Sequence, residues 1–200
     1  WTFANFGEDL LAWQQNGKVY TWDTSGGMTS TNRATAVSGA PTASRLGLMT
    51  TPDRHVVCFG TETTIGTTST QDDLFVRWAD QESTTDWTPT ATNTAGSQRL
   101  AGGSRIECAL LAKRQVLIWT DANLFAMQFV GPPFTFGFNQ LATNCGTVGP
   151  HSAVDISGVT YWMSKDSFFM YDGTVKKLPC TVEDYVFDDI NLSQNNEVFA

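Results

Sequence analysis

Three stretches of this chain carry nearly the same phrase: "WQQNGKVYTWD" from Trp13, "WTDANLFAMQF" from Trp119 and "WMSKDSFFMYDG" from Trp162. In each, an aromatic residue closes an apolar run, a short polar turn follows, and a second apolar run ends on a polar stop. Phe59 fits the same slot, with "DLFVRWAD" as the second run and a swollen connection, "TETTIGTTSTQD", between them. The aromatics Trp13, Phe59, Trp119 and Trp162 lie about 46, 60 and 43 residues apart, and removing the Thr-rich insertion brings the middle spacing near 48. Repeats of ~40–50 residues are the period of a propeller blade. A unit of this size cannot bury its own face, so it must stack on a copy of itself, and a large flat side chain suits the gap between two sheets.

The runs themselves read as strands. "HVVCFG", "DLFVRWAD", "QVLIW", "NLFAMQF", "VTYWM" and "SFFMY" are short, rich in β-branched and aromatic residues, and bounded by Gly, Asn, Asp or Ser. The last unit is the cleanest: "SAVDIS", "VTYWMS", "SFFMYD" and "TVKKLP" make four strands joined at Ser157-Gly158, Lys165-Asp166 and Asp172-Gly173. The expected fold is all-β, a β-propeller-like array of four-stranded antiparallel blades over residues 1–200, with a two-sheet sandwich as the alternative. The blade units fall at 1–40, 43–95, 104–143 and 148–180, followed by an acidic segment over 181–200. Asn16-Gly17 predicts a tight hairpin turn. One helix is expected, in "VEDYVFDDINL", where Val182, Tyr185, Val186 and Ile190 fall at helical offsets.

Composition narrows the function classes. About two-fifths of the chain is apolar and only 16% is charged, which fits sheets buried on both faces and excludes disorder. The net charge of −8 argues against a nucleic-acid reader that works by neutralising phosphates. No apolar run reaches the ~18 residues of a membrane span, so no membrane anchor is expected. The chain begins at Trp1 and ends abruptly at "NNEVFA", and four units are few for a closed ring, so it reads as a piece of something longer. Cys58, Cys108, Cys145 and Cys180 are far apart and form no C-x-x-C, which predicts free thiols rather than zinc ligands or a disulfide framework.

Catalytic chemistry finds few candidates. A nucleophilic triad needs a histidine, and His55 opens a strand while His151 follows "GP" in a loop; no G-x-S-x-G elbow is present. Asp80, Glu82 and Asp86 in "ADQESTTDW" are the carboxylates that could serve glycoside hydrolysis, although a solvated acidic loop is the simpler expectation. The segment faintly resembles an Asp-box turn, without its glycine and with different spacing. "LAGGSR" has no lysine and precedes a strand, so it is no phosphate loop. "GPPFTFGF" is expected to be a rigid turn. No metal, no cofactor and no enzymatic activity are expected.

Taken together, "FGEDLLA", "LFVRWADQESTTDWTPTATNTAGSQRL", "GPPFTFGF" and "VGPHSAV…GVTYWMSKDSFFMYDGTVKKLPC" resemble virion proteins of tailed bacteriophages. The likeness is greatest to the tail nozzle, or tail tubular, proteins of short-tailed phages and the related head-completion hub proteins, and it covers most of the chain. The resemblance implies a propeller-bearing structural subunit of the phage tail, present in several copies, often six, that ring the channel through which genomic DNA passes. Its implied neighbours are further copies of itself and other tail proteins such as the adaptor. No catalytic residue carries over. On this reading Asp80, Glu82, Asp86, Glu183, Asp184, Asp188 and Asp189 are candidates for an interface or for the acidic wall of a DNA channel. The rival reading is a carbohydrate-binding or glycan-cleaving propeller acting at a host surface.

Overall fold

The computed structural model describes residues 1–200, the side chain of Asn196 excepted. The chain is all-β, with four four-stranded antiparallel sheets. The first holds β1 (Thr2–Phe6), β2 (Asp9–Trp13), β3 (Val19–Trp22) and β4 (Thr35–Ala36). The second holds β5 (Leu46–Met49), β6 (Val56–Phe59), β7 (Phe75–Trp78) and β8 (Gly96–Arg99). The third holds β9 (Ile106–Ala112), β10 (Gln115–Thr120), β11 (Asn123–Gly131) and β12 (Thr135–Thr143). The fourth holds β13 (Ala153–Ile156), β14 (Val159–Met163), β15 (Phe168–Tyr171) and β16 (Val175–Lys177). In every sheet the strand order follows the chain, each strand pairing antiparallel with its predecessor, through short connections except the long ones between β3 and β4, β6 and β7, and β7 and β8. Ser157 and Gly158 both take positive φ, 56° and 87°, and so close the two-residue hairpin between β13 and β14. Asn16-Gly17 behaves differently from expectation: only Asn16 has positive φ, within a five-residue connection closed by Gln14 N–H donating to the Lys18 carbonyl.

Two compact units divide the sheets: residues 1–101 with 129–135, and residues 102–128 with 136–200. In the first, β1 and β5 approach directly, with Gly47 N–H donating to Thr2 Oγ1 at 3.1 Å. In the second, β9 and β13 are the strands that meet. Each pair of sheets is therefore closest along its first strands, the fan-wise packing of neighbouring blades.

The repeated aromatics all sit on the second strand of their sheet, at its end or one residue before it, and all are buried. Trp13 points from the first sheet onto the second, where its Nε1 donates to Cys58 Sγ at 3.3 Å. Trp119 and Trp162 meet between the third and fourth sheets, edge to face at 5.4 Å. Phe59 lies on the face of its sheet turned away from the first sheet. Neighbouring strand residues point to opposite faces, and Cys58 is the one that faces Trp13, so Phe59 turns the other way. The reason is space: a tryptophan can lie on this sheet only where the opposing pair is small, and that pair is Gly47 and Cys58.

The insertion over residues 61–73 is not the exposed excursion its composition suggests. Glu62 is fully buried and accepts hydrogen bonds from the Thr42 hydroxyl, from Thr42 N–H at 3.2 Å and from Gly66 N–H at 2.7 Å. Thr61 Oγ1 donates to the Ala43 carbonyl at 2.8 Å, Ile65 packs on the core beside Trp13, and buried Arg77 donates to the Thr63 carbonyl at 2.8 Å. Thr63, Thr64 and the tip over residues 66–69 are exposed.

The expected helix is α1 (Glu183–Asp189). Of the residues read from the period, Val186 and Ile190 are half-buried but Val182 and Tyr185 are exposed, and Phe187, outside that set, meets the Phe168 ring at 5.1 Å. Cys58, Cys108 and Cys145 are free and buried, and Cys180 is half-buried. Burial pushes the thiols of Cys58 and Cys108 up to about 12, so both stay protonated and pack as small apolar groups.

Candidate functional site

The carboxylates singled out from "ADQESTTDW" lie in the long connection from β7 to β8, and its other end, Thr94, holds Asp80. Asp80 Oδ1 accepts from Thr94 N–H at 2.8 Å and from the Thr94 hydroxyl at 2.6 Å. These two bonds keep the Asp80 carboxyl below its ordinary range. The Thr94 hydroxyl also receives Gln81 N–H at 3.0 Å and lies 3.0 Å from His55 Nε2. The Thr94 carbonyl accepts from Trp78 Nε1 at 2.8 Å and from Thr135 Oγ1 at 3.0 Å. One threonine thus ties together the start of β6, both ends of the β7–β8 connection and residue 135.

Glu82 and Asp86 point to other partners. Glu82, at φ 57°, sits beside Arg54: its carboxylate is 2.9 Å from Arg54 Nε, and its N–H donates to the Arg54 carbonyl. The Arg54 guanidinium lies over the Phe6 ring. Asp86 accepts from Asn93 Nδ2 at 3.1 Å and supplies the carbonyl that receives Asp80 N–H. The Ser83 hydroxyl accepts from Asp86 N–H at 3.1 Å, and buried Trp87 donates to the Thr84 carbonyl at 2.7 Å while it fills the core under the loop. The acidic loop expected here is solvated at Gln81, Glu82, Thr85 and Asp86, and Trp87 anchors it to the core. Each carboxylate has its own partner, while the backbone joins Asp80 to Asp86 and the adjacent Thr94 and Asn93 hold their two side chains.

The histidines also differ from simple edge or loop residues. His55 is fully buried, its ring 5.8 Å from that of Phe129. Burial holds its pKa below the usual value, partly offset by the charges of Asp53 and Asp80. His151 is half-buried and stacks on Phe199 at 5.0 Å with the rings nearly parallel, while its carbonyl accepts Ala200 N–H.

Of the C-terminal acids, Glu183 pairs with Lys177 at 2.9 Å, and this bond holds its carboxyl low. Asp184, Asp188 and Asp189 are exposed on α1. Glu183 and Asp184 lie in its first turn, where negative charge complements the helix dipole. Among the described residues, no group of His, Cys, Asp and Glu side chains is placed to hold a metal ion. Sequence reasoning missed Thr94 and Glu62. Thr94 looked like one more threonine in a polar stretch, and Glu62 like a solvated charge. Their roles depend on partners 14 to 41 residues away in sequence.

Comparison with known proteins leaves the chain unassigned: no family model matches it, and no curated protein matches it. What the fold defines is a class, an all-β protein built from paired four-stranded meander sheets.

Proposed function

We propose that this chain is a structural module of a phage virion: a blade array in a tail nozzle or hub ring that forms or gates the channel for DNA ejection. The observation that supports the reading is that the strand–aromatic–turn–strand phrase, which recurs in a chain whose stretches resemble tail proteins, is also the unit of folding, one four-stranded sheet per phrase. The acidic loop fits a structural role as well, since Asp80, Glu82 and Asp86 are engaged by Thr94, Arg54 and Asn93. In this reading the partners are further copies of the chain, six by resemblance, together with the adaptor and other tail proteins, and the genome slides past without specific binding. The glycan-directed alternative rests on the same three carboxylates, two of which would have to act as an acid pair. Negative-stain imaging of the purified protein is the direct test. Rings with a central channel are expected. Isolated monomers that bind a bacterial surface glycan would replace this reading with the alternative.

A further inference from the structure

The first sheet is apolar on both faces. One face carries Leu11, Trp13 and Val19 into the core. The pairing registers place Phe3, Ala12, Tyr20 and Ala36 in one row of the other face, and Asn5, Leu10 and Trp22 in the next. A solvated sheet face alternates to polar residues. Here Asn5 is the one amide and no side chain is charged. The Trp1 ring stacks on Phe3 at 6.4 Å and 11° and leans on Tyr20 at 5.9 Å. Even so, Trp1 and Phe3 remain 59% and 61% exposed. Beside them runs a groove of about 340 Å³ lined by Trp1, Phe3, Leu10, Ala12, Trp22 and Ala34.

We infer that this face binds the same face of a second copy of the chain, sheet on sheet about a two-fold axis. Three features select that occupant. The groove walls are apolar side chains alone, whereas a sugar or peptide ligand needs fixed polar partners to hold it in place. The face holds both halves of a fit: protruding rings at Trp1 and Phe3, and an alanine-floored groove beside them that admits a ring. A surface that is its own complement makes a two-fold contact, the commonest in homo-oligomers. Area is the third. Aromatic side chains present 150–250 Å² each, so Trp1 and Phe3 alone leave on the order of 250 Å² in water. With Leu10, Tyr20, Trp22 and the alanines the face offers roughly 500–600 Å² per copy. Two copies then bury about 1,000–1,200 Å², at the lower edge of specific interfaces. The dimer is accordingly weak and reversible, and because the face carries no charge, added salt does not disrupt it.

This contact is two-fold, unlike the head-to-tail contacts that close a ring, so it stands or falls apart from the proposed function. The test is analytical ultracentrifugation of the full chain up to roughly 100 µM, a range that reads micromolar dissociation constants. A concentration-dependent dimer is expected, weakened about tenfold or more by Phe3→Glu and by Trp22→Glu. Phe3→Ser, a milder change at an exposed site, keeps the test valid where a charged variant misfolds, which circular dichroism reads. In a Cys180→Ser background, Phe3→Cys should oxidise to a disulfide dimer. A monomer across the range overturns the inference, as does a dimer indifferent to all three substitutions at Phe3 and Trp22. Larger rings in which Phe3→Cys does not cross-link to itself also overturn it while leaving the ring reading intact.

Discussion

A methyl group added at Gly47 would fall inside the indole ring of Trp13. The glycine and its cross-strand partner Cys58 are what let a tryptophan from the first sheet lie flat on the second. The third and fourth sheets solve the same problem with two large rings, Trp119 against Trp162. Trp119 Nε1 is buried without a hydrogen-bond partner, whereas Trp162 Nε1 donates to the Cys145 carbonyl at 2.9 Å. Gly47→Ala is therefore expected to destabilise by about 1–3 kcal/mol through overpacking. Trp13→Leu alone leaves a void, but combined with Gly47→Ala it makes room for the new methyl. The double mutant should be more stable than the sum of the singles, by a coupling of about 0.5–3 kcal/mol. Urea denaturation of the four proteins measures this, and strict additivity would mean that the two residues do not press on one another.

At the level of elements, what was legible in the sequence was local. The four sheets span 2–36, 46–99, 106–143 and 153–177, close to the units drawn from the aromatic spacing, because hairpin turns and alternating apolar runs are written into neighbouring residues. Helix α1 was legible for the same reason. Its packed side was legible only in part, since Phe187 is chosen by a partner, Phe168, in another element. The cleft that Gly47 and Cys58 leave for Trp13 and the hub at Thr94 were hidden in the same way. The insertion over 61–73 is the clearest case: threonine, serine and glycine suggest a solvated loop, yet a single buried carboxylate organises it from Thr42, twenty residues upstream. Glu62→Ala strips the acceptor from the Thr42 and Gly66 amides. The expected loss is about 1–3 kcal/mol for each buried donor left unpaired. Thr67→Ala, at the exposed tip, should stay within about 0.5 kcal/mol of the parent. Thermal melts of the two variants decide the matter, and a Glu62→Ala protein as stable as Thr67→Ala would return the insertion to the status of a surface loop.

For the whole molecule the question is how an acidic chain would serve a DNA channel. It carries 20 acidic against 12 basic side chains, and the basic ones are largely spoken for. Arg45, Arg54, Arg99, Arg105, Lys176 and Lys177 each stand in an ion pair with Asp or Glu. Arg77 is buried, its guanidinium bonded to backbone carbonyls. Binding to duplex DNA grows with each phosphate that a free lysine or arginine neutralises, and it falls steeply with salt for that reason. With these cations engaged and Asp184, Asp188 and Asp189 exposed, such contacts fall mainly to the exposed Lys18, Arg33, Lys113, Arg114 and Lys165. The acidic chain repels the polyanion weakly, over the ~8 Å Debye length of physiological salt. A conduit benefits from this, because DNA that sticks to its wall does not slide. The same charge would also keep any protein soluble, so the discriminating condition is low ionic strength, where attraction to hidden basic patches is strongest. At about 20–50 mM salt the purified chain should leave a labelled duplex unshifted in fluorescence anisotropy. Arg99→Glu and Lys176→Glu should change little, since each cation already faces a carboxylate, of Asp72 and Asp172. Tight binding that weakens as salt is added, and that these substitutions reduce, would show that paired cations open toward DNA and would rule out a passive acidic wall.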